Sequence, residues 1–90
     1  MAVGFIFDSS GVTQAQYEQV RGEVMPDNRP PPGMLYHAAG PIPAGWRVIE
    51  IWESQETADR FFQDKLGAAL QRANVTAQPQ RFEVIKTIQP

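Results

Sequence analysis

The chain has 90 residues, 42% hydrophobic and 20% charged, and a formal net charge of −2. That is the make-up of one globular domain with a thin core, hiding about 60–65% of its unfolded surface. It is not the composition of a disordered tail. With no cysteine, disulfides, thiolate metal sites and a cysteine nucleophile are excluded, and eight scattered Lys and Arg form no basic patch for nucleic acid.

A single histidine argues against a His-rich centre, so no metal site is expected. Met1 to Asp8 lacks the basic flank of a signal peptide, and no apolar run approaches the ~18–20 residues that span a bilayer. The expectation is a cytoplasmic protein without a membrane partner.

Ala2 to Asp8 reads as a first strand, with Phe5 and Phe7 on one face and Gly4 and Ile6 on the other; Ser9-Ser10-Gly11 is expected to break it. Thr13 and Gln16 fit a capping box, in which each residue accepts from the other's backbone N–H. A helix follows from Gln14 to Val24 with Tyr17, Val20 and Val24 as its apolar stripe. Pro26 ends it, and the run to Gly33, with three consecutive prolines, is a stiff connector rather than regular structure.

Met34 to Ala39 is the second strand, and Gly40 to Gly45 is expected to turn the chain into a third, Trp46 to Ser54. This third strand is apolar on both of its alternating faces, Trp46/Val48/Trp52 and Ile49/Ile51. One face suits the chain's own helices, and the other needs a second copy, so a homodimer is expected. Ser54 caps a second helical stretch, along which Ala58, Phe61, Phe62, Leu66, Ala69, Leu70 and Ala73 recur at short steps, marking a helix or a pair of short helices broken near Gly67. A loop from Asn74 to Pro79 leads to a last strand, Gln80 to Ile88.

Strand, helix, strand, strand, helix, strand is the ferredoxin-like α+β pattern. It implies a four-stranded antiparallel sheet in the order 4-1-3-2 with both helices on one face.

Closing the hairpin with Gly40 opposite Gly45 sets His37 opposite Val48, Leu35 opposite Glu50 and Ala39 opposite Trp46. His37, Trp46, Glu50 and Trp52 then share a face, with His37 and Glu50 as diagonal neighbours. A slip of one residue would send His37 to the other face. An imidazole beside a carboxylate among apolar groups is a proton-relay pair, with His37 as base and Glu50 as its orienting partner. The plainer alternative makes His37 an edge residue facing water or a subunit contact, and Glu50 a solvated or Arg-paired acid.

Trp46, Trp52 and Leu35 stack a ligand on the first reading and form core or interface on the second. Phe61 and Phe62 have core spacing, Phe62 doubling as a pocket wall. Tyr17 either reaches the ligand with its hydroxyl or packs with its tip in solvent. Arg47, on the opposite face, suits an ion pair.

The junction Ile51-Trp52-Glu53-Ser54, followed by Gln55-Glu56-Thr57-Ala58-Asp59-Arg60-Phe61-Phe62 in a chain of this length and order, resembles the antibiotic biosynthesis monooxygenase group of the dimeric α/β-barrel superfamily. The resemblance implies two sheets packed face to face across a homodimer, a pocket between sheet and helices, and Trp52 as the strand tryptophan facing that pocket. It further implies cofactor-free oxygenation of aromatic or polyketide-like molecules, or a lactone isomerase-type reaction. The haem-degrading branch uses an Asn on the first strand and a His on the second helix. Here Val3 to Phe7 and Phe61-Phe62 occupy those places, so no cofactor is expected.

Two functions compete with a third. One is a cofactor-independent enzyme, monooxygenase or isomerase/cyclase, removing a proton from a small hydrophobic or aromatic molecule. The second is a non-catalytic ligand-binding or accessory dimer. The third is a structural dimer whose cavity its own side chains fill. An open cavity containing His37 and Glu50 favours the first.

Overall fold

In the computed structural model, which describes residues 1–90, strands β1 (Val3–Ser10), β2 (Met34–Ile42), β3 (Gly45–Trp52) and β4 (Gln78–Glu83) form one sheet. Every pairing is antiparallel and the order is β2-β3-β1-β4, the expected ferredoxin-like arrangement. Alternation along β1 and β3 decides what the sheet buries. Val3, Phe5, Phe7 and Ser9 on β1, with Trp46, Glu50 and Trp52 on β3, are buried on the inner face. Helices α1 (Gln14–Val24), α2 (Gln55–Phe61) and α3 (Gly67–Arg72) cover that face, contributing Val20, Val24, Ala58, Phe61 and Ala69 to one continuous core.

The caps form as the residue types dictate. Thr13 Oγ1 accepts from Gln16 N at 3.2 Å while Gln16 Oε1 accepts from Thr13 N at 3.0 Å. Ser54 Oγ accepts from Thr57 N at 3.1 Å. After α1, Pro26–Asn28 forms a short 3₁₀ turn, where an irregular connector is expected. Of the two readings of the second helical stretch, the unbroken one holds: it is continuous through Gly67, with Phe62–Leu66 forming a π turn that joins α2 to α3. The wider turn sets Phe61 and Leu66, five positions apart, on the same cavity, where a regular helix would present Lys65.

Several strand limits differ from expectation, β3 ending at Trp52 rather than Ser54 among them. β1 runs two residues further, through Ser9 and Ser10, because the turn comes only at Gly11 with φ +72. The hairpin is tighter than the six-residue turn expected: β2 continues through Pro41 to Ile42, and only Pro43 and Ala44 connect it to Gly45. At Gly45 a Cβ would come within 2.1 Å of the Ser9 carbonyl oxygen, so only glycine lets β3 begin that close to β1. β4 begins at Gln78, inside the loop expected to reach Pro79, and ends at Glu83 rather than Ile88; beyond it Val84 N donates to Ala2 O at 3.0 Å before the chain leaves the sheet.

The tighter turn moves the β2–β3 register by two residues, setting His37 opposite Glu50, Ala39 opposite Val48 and Pro41 opposite Trp46. A two-residue shift keeps every side chain on its face, so the sharing of one face by His37, Trp46, Glu50 and Trp52 holds. The diagonal neighbours become direct ones. Leu35 does not oppose Glu50: it sits in a bulge between Met34 and Tyr36 and is 59% exposed.

The outer face carries no helix. Across it run the rows Phe82, Gly4, Ile51, Tyr36 and Gln80, Ile6, Ile49, Ala38. They are bordered by Arg47, which grips Asp8 with two hydrogen bonds of 2.7 and 2.8 Å. No helix is long and apolar enough to cross a membrane.

Candidate active site

Between the inner sheet face and the helices lies a cavity of about 70 Å³ lined largely by apolar side chains, Phe7, Val20, Val48, Phe61, Leu66 and Leu70 among them. That is several times the space one water needs. His37 and Glu50 both border it, as do Tyr17 and Trp46.

His37 is a β2 residue with its side chain 20% exposed, and Glu50, its β3 neighbour, has a side chain only 5% exposed. A carboxylate is held that deep only if its oxygens are bonded. His37 Nδ1 lies 3.0 Å from Glu50 Oε2, and Trp52 Nε1 donates to Glu50 Oε1 at 3.0 Å. The other ring nitrogen, His37 Nε2, lies 2.7 Å from the Tyr17 hydroxyl on α1.

An indole N–H only donates, so Glu50 Oε1 is an acceptor. With Glu50 ionised, His37 Nδ1–H donates to Oε2, and the lone pair left on Nε2 accepts from Tyr17 O–H. Each group is then used once, in one direction. Burial pushes the Tyr17 phenol above its ordinary value, the Glu18 and Glu50 carboxylates adding to the rise and Arg21 opposing it. Tyr17 therefore stays a neutral donor through the physiological range.

Tyr17 also packs its ring near parallel to the His37 ring, centroids 6.0 Å apart, and against Trp46 at 5.3 Å. A second, more open groove of about 380 Å³ lies outside, lined by Pro30, Leu35 and Tyr36, and Tyr17, Arg21, Met25 and His37 line it together with the inner cavity. The Tyr17–His37 hydrogen bond is thus part of the partition between cavity and groove.

Three residues expected against a ligand stand off the cavity wall. Leu35 is out in the groove because of the bulge. Trp52, fully buried, packs on Phe61 at 5.3 Å and backs Glu50 from behind instead of forming the stacking wall. Phe62 meets Phe5, Phe7 and Trp52 edge to face at 5.2, 5.7 and 6.0 Å, which makes it core filling. Ser9, read in the sequence as a strand breaker, is instead buried and lines the cavity opposite Trp46. Its signal was the period of two carried on from Val3, Phe5 and Phe7. The Tyr17–His37 bond, by contrast, links a helix to a strand twenty residues on, with no local signature. No three His, Cys, Asp or Glu side chains gather where they could hold a metal ion.

No protein-family model and no curated protein matches the sequence. Solved structures do match over nearly the whole chain. SnoaB, a cofactor-independent oxygenase from Streptomyces nogalater, is 16% identical with a TM-score of 0.69, covering 99% of this chain and 98% of its own. A candidate antibiotic biosynthesis monooxygenase from Chloroflexus aurantiacus is 14% identical, TM-score 0.70, with 99% and 98% covered. The protein NE2512 of unknown function, from Nitrosomonas europaea, is 13% identical at TM-score 0.70, with 99% and 93% covered. The chain therefore has the ferredoxin-like fold of the antibiotic biosynthesis monooxygenase structures, as the Trp52-Glu53-Ser54 junction suggested.

Proposed function

We propose that this protein is a cofactor-independent enzyme that removes a proton from a small hydrophobic or aromatic molecule held between sheet and helices. The observation that carries the reading is the hydrogen-bonded chain Tyr17, His37, Glu50 at the wall of an apolar cavity. The ligand's acidic C–H or O–H gives its proton to the Tyr17 oxygen while Tyr17 passes its own to His37 Nε2, or directly to Nε2 once the ligand displaces the Tyr17 hydroxyl. Glu50 then faces an imidazolium, and the ion pair in a poorly hydrated site stabilises the charge-separated state. Trp52 keeps Glu50 turned toward His37.

The ligand anion left behind is electron-rich. Attack on O2 followed by loss of water turns a CH2 into a C=O, a monooxygenation that needs no cofactor; reprotonation at another carbon is an isomerisation. The likeness in fold to SnoaB favours the first.

The outer sheet face supports a homodimer in the same reading. Ile6, Ile49 and Ile51 are half-buried there, Phe82 and Tyr36 are 43% and 53% exposed, and a second copy laid on these rows removes them from water. The chain's own helices are all spent on the other side.

Oxygen uptake with anthrone as model substrate tests the enzyme. The wild type should oxidise it to the quinone and His37→Ala should lose at least about a hundredfold in rate, the usual range for removing a general base. Equal rates in the two proteins would remove His37 from the mechanism. No rate in either would favour the non-catalytic binder.

A further inference from the structure

Trp46 and Ser9 line the cavity but take no part in the proton-transfer chain. Trp46 is 9% exposed and lines the cavity, and its indole Nε1 is the buried side-chain nitrogen or oxygen with no hydrogen-bond partner. An N–H stranded in that way has lost the hydrogen bond that water would give it in the unfolded chain. Directly across the β1–β3 ladder from it sits Ser9, 7% exposed, on the same cavity. The Ser9 backbone carbonyl accepts from Val12 N at 3.4 Å, and its side chain borders the cavity. Tyr17 lies between this pair and His37, touching Trp46 on one side and bonded to His37 on the other.

We infer that Trp46 Nε1–H and the Ser9 hydroxyl form an acceptor-recognition site, which takes a carbonyl or phenolate oxygen of the ligand. An indole N–H can only donate and a hydroxyl can donate, so the pair selects an oxygen with lone pairs and rejects hydrocarbon or cationic groups. Trp46 is then a specificity residue acting through its ring edge, its face being taken by Tyr17. The inference rests on the proposed function only for its consequence: a ketone or phenol anchored here presents its acidic position beside Tyr17, and the charge left after deprotonation delocalises onto the anchored oxygen. Binding itself requires no turnover.

The test uses the full chain, ¹⁵N-labelled, and two probes of nearly one shape, acetophenone and α-methylstyrene, which differ by C=O against C=CH2. Acetophenone should move the Trp46 indole cross-peak downfield while the Trp52 peak, already bonded to Glu50, stays. It should bind about tenfold more tightly than α-methylstyrene, the worth of one satisfied hydrogen bond. Trp46→Phe should abolish that preference, and Ser9→Ala, a smaller change that serves if the first variant fails to fold, should reduce it. His37→Ala should leave the preference in place, which separates this site from the proton-transfer chemistry. Equal affinity for the two probes, an unmoved Trp46 peak, or no binding of either would overturn the inference.

Discussion

Glu50 carries two hydrogen bonds from opposite directions, from Trp52 behind and His37 in front, and its variants separate the two duties. Glu50→Gln keeps an oxygen for the Trp52 N–H but offers an NH2 to His37 Nδ1. That forces the imidazole proton onto Nε2 and removes the lone pair that receives from Tyr17. The predicted outcome is a folded protein with the His37 tautomer reversed in ¹⁵N spectra and activity lost. Glu50→Ala strands the Trp52 N–H in the core as well, and urea titration should find it about 1–3 kcal/mol less stable. Tyr17 gives a pH prediction. Its phenol is raised on folding, so the stability owed to the neutral form is complete below the ordinary tyrosine value of about 10 and is lost as pH rises through the folded value. Unfolding curves against pH should fall less steeply on the alkaline side in Tyr17→Phe than in the wild type. Titration of phenolate absorbance should lose its late component in the same variant.

At the scale of elements, the hairpin shows what a sequence can and cannot disclose. Strand identity follows from the residues of β3, yet the turn could be placed at Gly40–Gly45 or at Pro43-Ala44, and only tertiary contact decides. Gly45 is needed where β3 crosses the Ser9 carbonyl, not to close a longer loop. Because the resulting shift was even, the face of His37 and its pairing with Glu50 were legible, while the residue directly opposite it was not. Likewise Phe61 and Phe62 both have core spacing, with Phe62 expected as the pocket wall, and the π turn, invisible in spacing alone, gives the cavity to Phe61 and the aromatic core to Phe62. The caps were fully legible, since Thr13, Gln16 and Ser54 act within three residues of themselves. Two substitutions probe this level. Gly45→Ala must push β3 away from β1 and should cost about 1–3 kcal/mol in thermal or urea unfolding, as overpacking does. Thr13→Ala removes half of the capping box and should cost about 1 kcal/mol, with helix signal lost from α1 alone.

Taken whole, the molecule is a sheet with unequal sides: one carries the helices, the cavity and every residue of the Tyr17, His37, Glu50 chain, the other an apolar floor framed by Arg47 and Asp8. A charge at the centre of that floor, Ile49→Glu, flanked by Ile6 and Ala38, should leave the monomer folded and halve the mass seen in sedimentation; an unchanged mass would move the contact elsewhere. The cavity side makes a more exacting demand, because a half-buried imidazole tied at both nitrogens is equally a structural strut unless a ligand can hand it a proton. Anaerobic exchange of the anthrone methylene protons in D2O, followed by proton NMR, reads that transfer without oxygen chemistry. Catalysed exchange in the wild type, lost in His37→Ala and in Glu50→Gln, is the predicted result, and exchange no faster than in buffer would contradict it.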